Sequence, residues 1–248
     1  MTSKSSPAAA ELIDTFCDQV WLQDGLAATS LASYRRDLTQ WAAWLDKRGR
    51  AMLGAQRMDV DAWLAEQFRI KAKATSIARR LSSLRRFYAL QTQQATIRSD
   101  PTARVRAPKL PRRLPKNLSE DQVETLLDAP DVETALGLRD RAMLETLYAT
   151  GLRVSELTGL KIGQVSLDMG VVRVLGKGSK ERLVPLGEEA IAWIKRYLAG
   201  ARADLAGKSR SDAMFVTARG GPLTRQAFWV RLKRYAVKAG IPLSLIHI

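Results

Sequence analysis

The sequence predicts a mainly helical protein whose second half mixes helices with a small antiparallel sheet. Three observations carry this. Two long runs within the first hundred residues space their apolar side chains three or four apart, the period of a half-buried helix. A proline-rich basic stretch then breaks the pattern near residue 100. Beyond it, helical periods resume around two β-branched runs that flank a Gly-Lys-Gly-Ser-Lys turn, a hairpin signature.

Taken in order, the helical pattern runs from Ala8 to about Gln94. In "TSLASYRRDLTQWAAWL", Thr29 is placed to cap a helix with Leu31, Tyr34, Leu38, Trp41 and Leu45 on one face. In "ATSIARRLSSLRRFYAL", Ile77, Leu81, Leu84 and Tyr88 form a second stripe. At about 100° per residue, Arg79 and Arg86 point away from that stripe while Arg80 and Arg85 flank it. Residues 99–117, "SDPTARVRAPKLPRRLPKN", read as an extended, positively charged connector that includes Arg112 and Arg113.

Helices then return. Ser119 and Gln122 have capping-box spacing at the head of "SEDQVETLLDA". "LGLRDRAMLETLYATG" predicts the next helix, and "GVVRVLGKGSKERLVPL" the hairpin. In "GEEAIAWIKRYLA", acids in the first turn and bases in the last suit the helix dipole. "AMFVTARGGPLT" reads as a short strand and turn, and "TRQAFWVRLKRYAVKAG" as a basic helix stopping at Gly240.

Charge narrows the partners. The 248 residues carry 40 Lys and Arg against 25 Asp and Glu, a net charge of +15. Residues 1–110 contribute +8 and residues 111–248 contribute +7, so the excess is no basic tail. Such an excess favours a polyanion such as nucleic acid or an acidic membrane surface. No acid lies between Glu66 and Asp100, so Arg79, Arg80, Arg85 and Arg86 are expected to face phosphates, as are Arg112 and Arg113. A single cysteine, Cys17, sits in an apolar setting and reads as a core thiol. It excludes a disulfide framework and a cysteine-rich zinc site. One histidine, His247, leaves no material for a Ser-His-Asp triad or a histidine metal site. No apolar run reaches membrane-spanning length and the N-terminus lacks a signal-peptide core, so membrane insertion is not expected and the cytoplasm is.

Two cations stand out as chemistry. Arg153, in "ATGLRVSELTGL", enters an apolar neighbourhood at a helix start and there needs an anion. Lys177 sits at the hairpin tip between Gly176 and Gly178, where the backbone can approach a ligand closely. A rigid guanidinium fork and a mobile ammonium together suit phosphoryl transfer, one neutralising the phosphate and the other protonating the leaving oxygen. Glu156, one turn after Arg153, reads either as support for it or as a surface carboxylate pairing with Arg153 or Lys161.

These strings, with "LPKNLSEDQVETLLDAP", "LRDRAMLETLYATGLRVSEL" and "VVRVLGKGSKERLVPLGEEA", resemble the tyrosine site-specific recombinases of the lambda integrase family, and within it the Xer branch. The resemblance runs from about Leu12 to Ile241. It implies an N-terminal helical core-binding, SAM-like DNA-clamp domain over 1–98, the linker 99–117, and a partial tyrosine-recombinase catalytic domain over 118–248. Arg153 then matches the first catalytic arginine, Lys177 the hairpin lysine, and Glu156 a supporting family acid. The resemblance implies no metal and no cofactor. A tyrosine attacks the phosphodiester and stores its energy in a 3′-phosphotyrosyl link, so religation needs no ATP. The implied partners are double-stranded DNA, a paralogous Xer recombinase in a heterotetramer, and a DNA translocase of the division machinery.

The end of the sequence departs from the family. After "AGIPLS" the family continues with a Pro-His-x-Leu-Arg box and a late tyrosine, whereas here "LIHI" follows. All five tyrosines, Tyr34, Tyr88, Tyr148, Tyr197 and Tyr235, precede the point where the family nucleophile belongs; Tyr34 and Tyr148 read as core, and Tyr197 and Tyr235 lie in helices the family does not use for cleavage, so no nucleophile is assigned. The expectation is an incomplete or frame-shifted copy of an intact recombinase, inactive as written. The alternative is a short, non-catalytic DNA-binding protein that occupies recombination sites. A basic RNA- or ribosome-associated protein fits composition alone.

Overall fold

The computed structural model describes residues 6–109, 117–176 and 181–243. The chain divides into two compact units, Met1–Arg113 and Leu114–Ile248.

The first unit is built from α1 (Pro7–Asp24), α2 (Ala28–Asp46), α3 (Arg57–Arg69) and α4 (Ala74–Gln93). The Ser6 hydroxyl caps α1, and Gly25 ends it in the left-handed conformation, φ 61°. The expected cap at Thr29 is displaced. The helix starts at Ala28 with Ala27 as its cap residue, which puts Thr29 inside the first turn. The stripe Ile77, Leu81, Leu84, Tyr88 is fully buried, facing Leu38, Trp41 and Leu45. Trp41 Nε1 donates to the Tyr88 hydroxyl at 2.8 Å, which donates to the Met52 carbonyl at 2.9 Å, so both polar atoms are satisfied in the core. Cys17 is buried, as expected.

The connector is not extended throughout. Asp100 accepts from the Thr102 amide and hydroxyl, closing a turn over 101–104, and Val105 is buried in the first core. An apolar side chain within a basic stretch is drawn back onto the nearest core because leaving it in water costs more.

The second unit comprises α5 (Glu120–Asp128), α6 (Ala135–Thr150), α7 (Val154–Thr158), β1 (Val165–Ser166), β2 (Val171–Leu175), β3 (Glu181–Pro185), α8 (Glu188–Ala199), α9 (Ala201–Ala206) and α10 (Arg225–Lys238). Ser119 and Gln122 form the capping box of α5. The strands make one antiparallel sheet in the order β1-β2-β3, with Val172 opposite Val184 and Val174 opposite Arg182. "AMFVTARGGPLT" forms isolated bridges at Ala213 and at Val216–Pro222 rather than a strand.

A buried polar network joins α6 to α10. The Arg139 guanidinium is fully buried, donating to Asp140 and to the Val216 carbonyl. Asp140 also accepts from Arg231 at 3.2 Å and from the Tyr235 hydroxyl at 2.7 Å. Burial, then the Asp140 carboxylate, push the Tyr235 phenol above its ordinary range. Among the described residues, no helix is long and apolar enough to cross a membrane.

Candidate active site

The site is set by how α6 ends. Gly151 takes the left-handed conformation, φ 58°, and its amide donates to the Leu147 carbonyl, closing α6. The chain then turns so that Leu152, Val154 and Leu157 are buried while Arg153, the residue preceding the first turn of α7, points outward. Here the expectation of a buried guanidinium fails. The Arg153 side chain is 67% exposed because only its neighbours belong to the core.

Glu156 anchors that arginine. Its carboxylate accepts from the Arg153 amide at 2.8 Å and from Arg153 Nη1 at 3.0 Å. It also accepts a two-pronged contact from Arg182, Nη1 at 3.1 Å and Nη2 at 2.9 Å. The side chain is only 11% exposed. Burial alone would raise its pKa, but the hydrogen bonds from Arg182, then from the Arg153 backbone and side chain, bring it down to about 2. Glu156 is therefore an ionised anchor and no proton carrier near neutral pH. Lys161 pairs with Asp212 instead, at 2.8 Å.

Arg182 went unnoticed in the sequence. In "ERLVPL" the leucine looks like the core residue, yet Leu183 is 63% exposed and Arg182 shares the face of the buried Val172 and Val174. A charged side chain on a sheet's inner face requires a partner, and Glu156 supplies it. The two strands that lead to the hairpin tip are thus tied to the start of α7. Lys177 itself lies outside the described residues, as do Arg112, Arg113 and His247.

A cleft of about 430 Å³ opens beside α7, lined by Val154, Arg225, Gln226 and Trp229 of α10. Arg225 and Arg234 are exposed, with no ion-pair partner among the described residues.

Each of the four arginines of α4 has a partner within its own unit. Arg79 pairs with the buried Asp37 of α2, Arg80 donates to Gln67 Oε1, Arg85 to the Val105 carbonyl, and Arg86 to Asp24 of α1 at 2.6 Å. The nearby sequence lacks acids, but acids of other helices meet Arg79 and Arg86 in space, while a glutamine oxygen and a backbone carbonyl meet Arg80 and Arg85. Among the tyrosines, Tyr148 is 63% exposed and not core, because it falls on the outer face of α6. Tyr34 is half-buried against Phe16, and Tyr88 and Tyr197 are buried. Tyr235 is held by Asp140.

Residues 116–247 match the phage integrase family, and residues 13–95 match the phage integrase N-terminal SAM-like domain. The tyrosine recombinase XerD of Pseudomonas aeruginosa is 54% identical over 237 residues, 94% of this chain and 78% of that protein. The chain belongs to the tyrosine recombinase family. XerD of Yersinia pestis is 51% identical, over 93% of this chain and 77% of that protein. The fold is shared with XerH bound to palindromic difH substrate in a post-cleavage complex, TM-score 0.70 at 17% identity, over 94% of this chain and 68% of that one. It is also shared with a lambda integrase dimer bound to a COC′ core site, TM-score 0.67 at 18% identity, over 94% and 78%. Site-specific recombination is the activity of the family to which this chain belongs.

Proposed function

We propose that this chain is a XerD-like recombinase that binds duplex DNA in the cytoplasm and serves chromosome dimer resolution and segregation. The observation that carries the reading is the outward-facing Arg153 guanidinium, fixed by Glu156 beside the strands that lead to Lys177. In this reading Arg153 holds the scissile phosphodiester and neutralises charge building on its non-bridging oxygens. A tyrosine phenolate, its proton already lost, forms the new bond to phosphorus, the bond to the 5′ oxygen breaks, and the Lys177 ammonium gives that oxygen its proton. The 3′-phosphotyrosyl ester keeps the energy for religation. The partners are a XerC-like paralogue in a heterotetramer and a DNA translocase of the division machinery.

No tyrosine of this chain is assigned as the nucleophile, so residues 1–248 alone are not expected to cleave. The second reading is then a non-catalytic protein occupying recombination sites. The two part on the DNA sequence beyond codon 243. A His-x-x-Arg box and a later tyrosine in any frame support the recombinase, and a stop codon with the chain found at this size supports the binding protein. In a chain supplied with that box and tyrosine, Arg153→Ala is expected to lower duplex affinity less than about tenfold and cleavage by about 10²–10³. Equal, small losses in both would return Arg153 to a structural role.

A further inference from the structure

The Glu156 carboxylate is shared by two guanidiniums, of which Arg153 is the more exposed, 67% against 39%. Arg182 spends both its Nη atoms on Glu156, whereas Arg153 spends its amide and Nη1. A lone Arg153–Glu156 pair would be neutral. With Arg182 present, one negative charge faces two positive charges, and the surplus stays on the exposed side chain.

We propose that Arg182 is a positioning residue that compensates Glu156 so that Arg153 keeps a net positive charge and an unoccupied N–H edge for a phosphate. The proposal rests on the assignment of Arg153 as the phosphate-holding residue. Its location supports it. Arg182 sits one rung in from Leu175–Glu181, the last described pair before the hairpin tip. Its side chain is 39% exposed, so it is neither a core residue nor free of the site. Leu183, next to it, turns outward in exchange. Arg182 touches no reacting atom in this scheme; it acts through Glu156.

The test is a titration of the full 248-residue chain with inorganic sulfate, followed at the Arg153 Nε–H by NMR. Sulfate keeps a constant charge over the working pH. Arg182→Gln is expected to weaken sulfate binding about threefold to tenfold, one charge being lost a few ångströms away in a partly solvated site. Arg182→Lys keeps the charge without the two-pronged geometry, and stays within about twofold of the wild type. The double variant Arg182→Gln/Glu156→Gln removes the carboxylate as well and also returns to within about twofold. That rescue separates charge compensation from mere scaffolding, since the double variant still lacks the strand-to-helix tie. Unchanged affinity in Arg182→Gln, or no recovery in the double variant, overturns the proposal. A wild-type chain whose Arg153 signal ignores sulfate instead overturns the assignment of Arg153.

Discussion

The arginines of α4 in the first unit and those around Glu156 in the second are used in opposite ways. In the first, the arginines of α4 each find an acceptor of their own inside the unit: Asp37, Gln67, the Val105 carbonyl and Asp24. In the second, one carboxylate serves two guanidiniums, and a cation is left over on the outside. Arginine density along the chain is therefore a poor guide to free charge. What decides availability is the count of acceptors around each guanidinium after folding.

The sharpest way to break this comparison is to remove a buried partner. Arg139→Met strips Asp140 of its main cation in a fully buried site, and the second unit is expected to lose about 3–5 kcal/mol. Urea unfolding of the chain reads it, and a loss under 1 kcal/mol would mean that Arg231 and Tyr235 suffice. Next comes Arg79→Gln. Asp37 is fully buried and keeps only the Ser83 hydroxyl, at 2.8 Å, so a loss of about 1–3 kcal/mol is expected in the first unit. No measurable loss would mean that Arg79 does not hold Asp37 in place.

Acid titration sharpens the contrast further. The Glu156 pKa is lower folded than unfolded, so its contribution is fully present above the ordinary carboxylate value near 4.5 and is lost as pH falls towards about 2. Glu156→Gln should therefore cost stability at pH 7, about 1–3 kcal/mol, and progressively less below pH 4.5. A pH-independent cost would contradict the ionised anchor. The smallest effect is expected at Arg86→Ala, whose exposed pair with Asp24 is worth about 0–1 kcal/mol.

Much of the fold was readable because it rests on local period. The stripes of α2 and α4, the Ser119 box and the hairpin follow from residues within a few positions of each other. Thr29 as a cap failed because its helix begins one residue earlier. The site was readable in half. Arg153 and Glu156 lie one helical turn apart, and their string is distinctive. Arg182 was not readable, because a five-residue strand with Leu and Val beside Arg fits either face, and only pairing with Val174 fixes which. The acceptors of the α4 arginines were hidden for the same reason: Asp37 and Asp24 lie 42 and 62 residues away.

The measurement that meets the central claim most directly is the salt dependence of duplex DNA binding by wild type, Arg153→Gln and Arg79→Gln. If the available charge sits on Arg153 and that of Arg79 is spent on Asp37, the slope of log affinity against log salt falls by about 0.9 in Arg153→Gln and is unchanged in Arg79→Gln. A slope that falls for Arg79→Gln and holds for Arg153→Gln would contradict the account.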